Sequence, residues 1–309
     1  MAPSPTSSSS RPPPPVYLDA ISGGVAGFAV RMVTAPLDLI KIRLQLEKGD
    51  FLATSVKTVR SVYKNEGVGG FFKGNVAATY LWITYAAVQF SVYSRVSAYM
   101  SEASPEEYFP YVPLSPAAVA FVAGASAGLT ATVCTYPFDY MRTAFAANKQ
   151  GREKSILGFV GRTFKEKGVR GFYAGLSPAI ASIVPLMGLN FMAYEAMTQY
   201  MRENGIDKSS VVAGGIGAVS GGASKFVVYP MDTIKKRLQG QNFGSIAPST
   251  YSGPLDCCLK IVKEEGPRIL YRGIAPTLVK SMAGTGLTFA FFNATKAILE
   301  DAHYARLGY

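Results

Sequence analysis

Charged residues and histidine are scarce in this chain, and their scarcity argues against most kinds of catalytic site. Only 17% of the 309 residues are charged, and the single histidine is His303, near the C-terminus. The three cysteines are too few and too irregularly spaced for a zinc site or a redox pair, and Cys134, in an apolar stretch, is expected to be a packed thiol. The sequence contains no phosphate-binding loop, dinucleotide-binding fingerprint or nucleophile elbow. We therefore expect no enzyme, no resident cofactor and no metal centre.

Apolar residues are abundant where charged residues are scarce. They account for 49% of the chain, and the mean hydropathy is +0.17. Few windows are free of charge over the roughly 20 residues that a bilayer-spanning helix needs, although residues 111–138 form one. Moderately polar spans are expected where one face of a helix lines water instead of lipid. The composition therefore favours a membrane protein.

Two short phrases occur three times each. The first reads Pro-x-Asp-x-x-basic and begins at Pro36, Pro137 and Pro230. The second phrase begins with a charged residue followed by a glycine. An aromatic residue follows, and the phrase ends two positions later at a second glycine, which is Gly74, Gly175 or Gly273. The copies of the first phrase are separated by 101 and 93 residues. A repeat of this kind indicates a tandem triplication.

These phrases resemble those of the mitochondrial carrier family, and the resemblance covers residues 17–300. It implies an all-α membrane protein with six transmembrane helices in three pseudosymmetric repeats, located in the mitochondrial inner membrane. On this basis the chain divides into a disordered tail (1–15), three repeats (16–106, 107–203 and 204–300) and a C-terminal tail (301–309). The family closes its ring of helices with one chain, so we expect a monomer.

Each repeat is predicted to contain a helix, a basic loop with a short amphipathic helix, and a second helix. The odd-numbered long helices are expected to begin near Tyr17, Ser115 and Ser209, and the even-numbered ones near Phe71, Phe172 and Leu270. The short helices are predicted at Phe51–Lys64, Glu153–Lys165 and Tyr251–Lys263. Small-residue motifs starting at Gly23, Gly124 and Gly217 predict close helix approach.

The positive charge is concentrated between the two phrases. Residues 38–73, 139–175 and 232–273 hold 22 of the 31 basic and 11 of the 20 acidic residues. Basic loops stay on the side from which membrane proteins insert, which is the matrix for an inner-membrane carrier. Both termini then face the intermembrane space. This distribution predicts that the partner of the basic surface is a bilayer, with cardiolipin at the matrix side, and not nucleic acid.

The three aspartates of the first phrase are expected to pair between helices. Each lies three residues before a basic residue, so pairing within one helix is an alternative that would contribute only a few tenths of a kcal/mol. Each proline is expected to kink its helix and to bring three helix ends together. The predicted pairs are Asp38 with Arg142, Asp139 with Lys235, and Asp232 with Lys41. The resemblance implies that they form the matrix gate, braced by Gln45 and Gln239, with Ala146 in place of the third glutamine.

The gate of the opposite, cytoplasmic side is expected to be weak. The family's aromatic-acidic-x-x-basic phrase falls at Tyr93-Ser94, Tyr194-Glu195 and Phe292-Asn293, with a basic residue only at Lys296. One ion pair, Glu195 with Lys296, is therefore predicted there. The substrate-free protein is expected to rest open to the cytosol.

Three cations within apolar spans predict an anion-binding site. Arg31 and Lys225 lie five residues before Pro36 and Pro230, and Lys280 lies seven residues after Gly273. An unpaired charge in a membrane is costly and is usually functional, although snorkelling to the interface is the alternative. We expect these cations to lack acidic partners and to bind phosphate oxygens.

Further substrate contacts are expected at positions equivalent or adjacent to the three cations. The resemblance implies contact points at Leu81 and at Ser182 with Ile183, and Thr132 is the equivalent of Arg31 in the second repeat. The polar or aromatic candidates one turn further are Thr84, Tyr85, Gln89, Asn190, Thr285 and Thr288. Such groups suit an aromatic or heterocyclic ring joined to phosphates.

Within the family, residues 36–46, 229–239 and 87–90 are similar to those of carriers of thiamine diphosphate. The leading hypothesis is import of thiamine diphosphate by alternating access, in exchange for a nucleotide or another phosphorylated metabolite. A carrier of adenine nucleotides or coenzyme A is an alternative, because the cations alone do not distinguish these anions. A non-transporting membrane scaffold or a proton-leak protein is the alternative from another class.

Overall fold

The computed structural model describes residues 15–46, 51–102, 116–148, 155–205, 210–247 and 250–307. Residues 1–14, which make up nearly all of the expected disordered tail, lie outside this set. Within the described residues the chain is all-α. Its six long helices are α1 (Val16–Leu46), α3 (Asn75–Glu102), α4 (Pro116–Ala147), α6 (Leu176–Glu203), α7 (Ser210–Asn242) and α9 (Ile274–Leu307). Its three short helices are α2 (Phe51–Glu66), α5 (Ile156–Lys167) and α8 (Pro254–Glu264).

The order of long and short helices is the one that the repeats predict, but the even-numbered long helices begin later than expected. A 3-10 turn precedes each of them, at Val68–Phe72, Val169–Tyr173 and Pro267–Tyr271. The final glycine of the second phrase then takes a positive φ, between 79° and 86°, which only glycine adopts readily. The prediction of a C-terminal tail from residue 301 is wrong as far as Leu307, because α9 continues to that residue.

The three repeated prolines lie inside α1, α4 and α7, as expected, and each helix continues past its proline. A fourth helix, α6, also contains an internal proline, Pro185. A proline within a helix removes one backbone donor and crowds the preceding turn, so the inward kink stays a prediction for these positions.

The chain divides into two compact units. The terminal unit contains residues 1–34 and 282–309, and the main unit contains residues 35–281. In the main unit, α3 packs along α4 and α6 packs along α7. All three aspartates of the repeated phrase belong to the main unit.

Small apolar clusters in the main unit hold each short helix against the end of an odd-numbered long helix. In the second repeat, Tyr140 of α4 packs with Phe159 of α5 and with Phe172. In the third, Ile234 of α7 packs with Cys257 and Ile261 of α8. In the first, Leu39 and Ile42 of α1 pack with Val62 of α2. Burying these side chains fixes the segment between the two phrases in each repeat.

Close backbone approach occurs at the second phrase. A Cβ on Gly74 would lie 2.6 Å from the carbonyl oxygen of Arg142, and one on Gly175 would lie 2.9 Å from that of Lys235. A Cβ on Gly273 would lie 3.2 Å from the carbonyl oxygen of Lys41. Each glycine thus touches the basic residue of the next repeat in cyclic order. At Gly124, where a small-residue motif predicted close packing, a Cβ would meet nothing within 4 Å.

The apolar character of the long helices is modest. Among the described residues, one helical window, Val169–Leu186, is long and apolar enough to cross a membrane by length and composition. One window of this kind is weak evidence by itself. Cys134 is exposed in α4, so the expectation of a packed thiol is wrong.

The glycines of the second phrase provide a first prediction. We expect Gly74→Ala to destabilise the protein by more than about 3 kcal/mol, because a positive φ costs a residue with a Cβ roughly 1–2 kcal/mol and the Cβ also collides with a backbone carbonyl. Gly244→Ala is the matched control: its φ is 81°, close to the 83° of Gly74, and a Cβ there meets nothing within 4 Å. Thermal unfolding of both variants in detergent measures the difference. Equal losses would show that the contact between Gly74 and Arg142 contributes little.

Candidate functional site

Three ion pairs join α1, α4 and α7 in the main unit. Lys41 contacts Asp232 at 3.2 Å, Arg142 contacts Asp38 at 2.8 Å, and Lys235 contacts Asp139 at 3.0 Å, each measured from nitrogen to carboxylate oxygen. These are the inter-helix partners that the sequence predicted. We call the six residues the ion-pair ring. Its pairs run between repeats in cyclic order, so each of the three helices is bound to the other two.

Each aspartate of the ion-pair ring also contacts a second lysine. Lys280 donates to both oxygens of Asp38, at 2.7 and 2.8 Å. Lys225 lies 3.2 Å from Asp232, and Lys236 lies 3.1 Å from Asp139. The expectation that the cations of the predicted anion site lack acidic partners is therefore wrong for Lys225 and Lys280. The physical reason is the length of the lysine side chain, which reaches Asp232 from two turns away on the same helix, α7, and reaches Asp38 of α1 from α9.

The bracing glutamines make different contacts. Gln239 donates to Asp139 at 3.0 Å and to the Tyr136 hydroxyl at 3.2 Å. Gln45 donates instead to the hydroxyls of Tyr229 and Thr233, at 3.3 and 3.4 Å. Lys41 lies over the ring of Tyr229 and Lys235 over that of Tyr136, about 5 Å from each centroid. Aromatic rings thus shield two of the three pairs from one side.

The hydroxyls of these two tyrosines connect the ion-pair ring to the second phrase. Tyr136 donates to the carbonyl oxygen of Ala174 at 2.9 Å, and Tyr229 donates to that of Arg272 at 3.2 Å. Both tyrosines immediately precede the repeated proline, where the first repeat has Ala35. The sequence analysis did not single them out, although an aromatic residue at the same place in two repeats was a signal that it could have used.

A second layer of ion pairs links the two phrases within the first and third repeats. Arg43, only 2% exposed, forms a bidentate pair with Glu66, and Arg237 does the same with Glu265. Lys73 also contacts Glu66, at 2.6 Å. Burial alone would raise the pKa of the Glu66 carboxyl, but hydrogen bonds from Arg43 and Lys73 outweigh it and hold that pKa below its ordinary value.

The second repeat replaces this layer with another contact. Ala144 stands where the other repeats have Arg43 and Arg237, and Lys167 stands where they have the glutamate. Lys167 instead bonds the backbone oxygen and the side-chain oxygen of Asn242, at the end of α7. Asn242 in turn donates to the carbonyl oxygen of Gly171 at 2.6 Å. The loop of the second repeat is thus bound to the helix of the third.

Several predicted substrate contacts lie in the main unit. Leu81, Thr84, Tyr85 and Gln89 lie on α3, and Ser182 and Ile183 lie on α6. Tyr85 of α3 lies beside Thr132 of α4, so two of these candidates are neighbours. Ser182 donates to the carbonyl oxygen of Ala179 at 2.6 Å, and Ile183 is buried. The side chain of Asn190 lies outside the described residues.

The other candidates belong to the terminal unit. Arg31 is half-buried on α1, and Thr288 of α9 donates to the carbonyl oxygen of Gly284 at 2.7 Å. The side chain of Thr285 lies outside the described residues. The function of all these positions stays a prediction.

Lys296 of the cytoplasmic phrase contacts two acidic residues of its own unit. It lies 2.7 Å from Asp19 of α1 and 3.8 Å from Glu300, and its predicted pair with Glu195 stays a prediction. It also lies 5.9 Å from the centroid of the Phe292 ring. The side chains of Tyr194 and Glu195 lie outside the described residues; Tyr93 and Asn293 are exposed. Asp19 is an acidic residue that the repeat pattern does not contain, so that pattern was unable to reveal it.

Comparison with known proteins agrees with the threefold pattern. The family "Mitochondrial carrier protein" matches the chain at residues 12–104, 114–205 and 207–303. A protein of Phaeosphaeria nodorum named mitochondrial thiamine pyrophosphate carrier 1 is 36% identical over 304 residues, which cover 90% of this chain and 92% of the relative. Proteins with the same name from Lodderomyces elongisporus and Neurospora crassa are 35% and 33% identical. The alignments cover 86% and 93% of this chain and 85% and 91% of those relatives.

The most strongly paired aspartate of the ion-pair ring provides a second prediction. We expect Asp139→Asn to destabilise the protein by about 3–5 kcal/mol, because it leaves Lys235 and Lys236 buried without their shared carboxylate. The matched control is Asp256→Asn, which removes a surface pair with Lys260 and should cost less than about 1 kcal/mol. Thermal unfolding without ligand compares the two. A loss at Asp139 no larger than the control's would contradict a structural role for the ion-pair ring.

The Arg43–Glu66 pair provides a third prediction, for the pH dependence of stability. Because the folded pKa of Glu66 lies below the ordinary value of 4.5, its contribution is fully present above that pH and is lost as the pH falls through the folded pKa. We expect Glu66→Gln to lower the melting temperature at pH 7 and to reduce its dependence on pH below 4.5. Glu166→Gln, on the exposed surface of α5, is the control. Parallel pH profiles for Glu66→Gln and the wild type would contradict the pairing.

Proposed function

We propose, since this chain belongs to the mitochondrial carrier protein family, that it imports thiamine diphosphate into the mitochondrial matrix in exchange for a nucleotide or another phosphorylated metabolite. Membership itself makes the chain a transporter of the mitochondrial inner membrane. The named substrate comes from the relatives, all called thiamine pyrophosphate carriers, which is another name for carriers of the same compound. The identity of 33–36% to them supports this substrate over the alternatives.

One observation links anion binding to the ion-pair ring. Lys225 and Lys280, two of the three cations predicted to bind the substrate, each contact an aspartate of the ring. Phosphate oxygens are acceptors of the same kind as carboxylate oxygens. A diphosphate that takes these two lysines therefore removes one cation each from Asp232 and Asp38. The substrate and the ring compete for the same ammonium groups.

This competition gives the substrate a way to drive the transport cycle. A ligand shifts a conformational equilibrium only by its differential affinity for the two states. A diphosphate that draws Lys225 and Lys280 away leaves two of the three aspartates with one cation instead of two, and the closed ring then holds less charge pairing to lose on opening. The ring then acts as the matrix gate, with Gln45 and Gln239 as its braces. Lys296 contacts Asp19 in this structure, and it becomes available to the cytoplasmic gate when α1 moves.

The aromatic rings of thiamine diphosphate need other contacts. The candidates on α3 and α4 are Tyr85 and Thr132, which are neighbours, together with Thr84 and Gln89. An aromatic face and several hydrogen-bonding groups suit an aminopyrimidine. Adenine has similar requirements, so a carrier of adenine nucleotides or coenzyme A is the second candidate within the family.

Uptake into proteoliposomes tests the substrate. We expect thiamine diphosphate to be exchanged and thiamine monophosphate to be exchanged more slowly. Thiamine should not be exchanged at a comparable rate, because it has no phosphate group to bind Lys225 and Lys280. Thiamine diphosphate should also raise the melting temperature, because a ligand at 100 times its Kd stabilises the native state by about 2.7 kcal/mol. Equal uptake of thiamine and its diphosphate would contradict the mechanism, and uptake of adenine nucleotides alone would favour the second candidate.

Substitution of the two lysines tests the site. We expect Lys225→Ala and Lys280→Ala each to lower the affinity for thiamine diphosphate by about tenfold or more, since a charge-assisted hydrogen bond contributes roughly 1.5–3 kcal/mol. Lys263→Ala, on the exposed face of α8, is the control for loss of a positive charge. Wild-type affinity in the double variant Lys225→Ala/Lys280→Ala would overturn the proposed site.

A further inference from the structure

One buried lysine adjoins the ion-pair ring without belonging to the predicted pairs. Lys236 follows Lys235 in α7 and is only 7% exposed. Its ammonium group donates to both oxygens of Asp139, at 3.1 and 3.3 Å, to the hydroxyl of Thr143 at 2.7 Å, and to the side-chain oxygen of Gln239 at 3.1 Å. An ammonium group has three donors, and four acceptor oxygens from three residues surround this one. The arrangement compensates the cost of burying the charge.

The partners of Lys236 connect two helices from different repeats. Asp139 and Thr143 belong to α4, whereas Gln239 belongs to α7 and itself donates to Asp139. Thr143 occupies the same position after its proline as Lys236 does, so the lysine contacts its own equivalent in the neighbouring repeat. The joint between α4 and α7 therefore combines the pair of Asp139 and Lys235 with a second ammonium group and an amide.

The residues at the equivalent positions explain why this joint differs from the others. Six residues after the proline, the first repeat has Ile42 and the second has Thr143. Neither side chain supplies a cation. Nine residues after the proline, the second repeat has Ala146, which has no polar side-chain atom to act as a brace. The added lysines of the other two aspartates do not cross between the paired helices, because Lys225 shares α7 with Asp232 and Lys280 lies on α9. At the α4–α7 joint, the added lysine does cross between the paired helices, and the brace reaches the aspartate.

We propose that Lys236 locks α4 to α7, so that this joint is the costliest of the three in the ion-pair ring to open and limits the rate at which the ring opens. The proposal rests on the proposed function only in taking the ion-pair ring as a gate. Lys236 is a positioning residue: it acts through Asp139 and Thr143, and it is not assigned a contact with the substrate. Opening the joint separates its ammonium group from both partners on α4.

Exchange kinetics in proteoliposomes test the lock. Hydrogen bonds to charged groups shift an equilibrium by roughly tenfold or more, so we expect Lys236→Met to raise the maximal exchange rate by at least about threefold. The KM should stay within about twofold, because no substrate contact is removed. Lys236→Arg, which keeps the charge and the donors, should exchange at a rate closer to that of the wild type than to that of Lys236→Met. Lys260→Met is the control, since Lys260 also pairs with an aspartate but lies on the surface of α8.

A double-mutant cycle separates this contact from general destabilisation. The change in melting temperature caused by Lys236→Met should differ between the wild type and a Thr143→Val background, because Thr143 accepts one of the bonds. This measurement needs no substrate. Additive effects of the two substitutions would overturn the contact on which the lock depends.

Three kinetic outcomes would overturn the lock. An unchanged exchange rate with a lower melting temperature would show that Lys236 is structural only. A lower exchange rate would show that its bonds are needed elsewhere in the cycle, and a KM changed by more than about fivefold would place it at the substrate. If the wild type exchanges a nucleotide and not thiamine diphosphate, the same comparison is made with that nucleotide. The proposed substrate then fails while the lock is still tested.

Discussion

The structure of the main unit depends on three carboxylates placed where three helices from different repeats meet. A buried carboxylate is tolerated only when it is paired, and each of these accepts from two ammonium or guanidinium groups. Because every aspartate pairs with the basic residue of another repeat, no repeat supplies all the partners of its own aspartate. Association of the three repeats is therefore a requirement of charge pairing as well as of apolar packing.

The glycines of the second phrase make this pairing possible. The even-numbered helices begin where Gly74, Gly175 and Gly273 touch the carbonyl oxygens of the basic residues in the ion-pair ring. A side chain at any of these places would separate the helix start from the neighbouring repeat. The positive φ and the absence of a Cβ thus serve one purpose, which is to let backbone meet backbone at the level of the charges. In each contact between repeats, the last glycine of the second phrase therefore faces the basic residue of the first phrase.

The repeats are related but not equivalent, and their differences have mechanical consequences. The first and third repeats contain a bidentate pair of arginine and glutamate between their phrases, whereas the second has alanine and lysine there. An additional lysine that crosses between the paired helices, and a brace that contacts the aspartate, are found together at the joint of the second and third repeats. A ring with three unequal joints has a preferred order of opening. A substrate that takes Lys225 and Lys280 acts on the other two joints, at Asp232 and Asp38.

The sequence by itself determined the repeat, the order of long and short helices, and the three pairs of the ion-pair ring. Threefold spacing leaves two cyclic ways to pair Asp38, Asp139 and Asp232 between helices, and the predicted set, which agrees with the family resemblance, is the one found. Tertiary structure alone decided the second partner of each aspartate. The sequence gives no sign that these partners are Lys225, Lys236 and Lys280. The spacing of residues along the chain does not show which carboxylate a long lysine side chain contacts. Asp19 as the partner of Lys296 was hidden for a related reason: residues 277 positions apart meet only when the chain has folded.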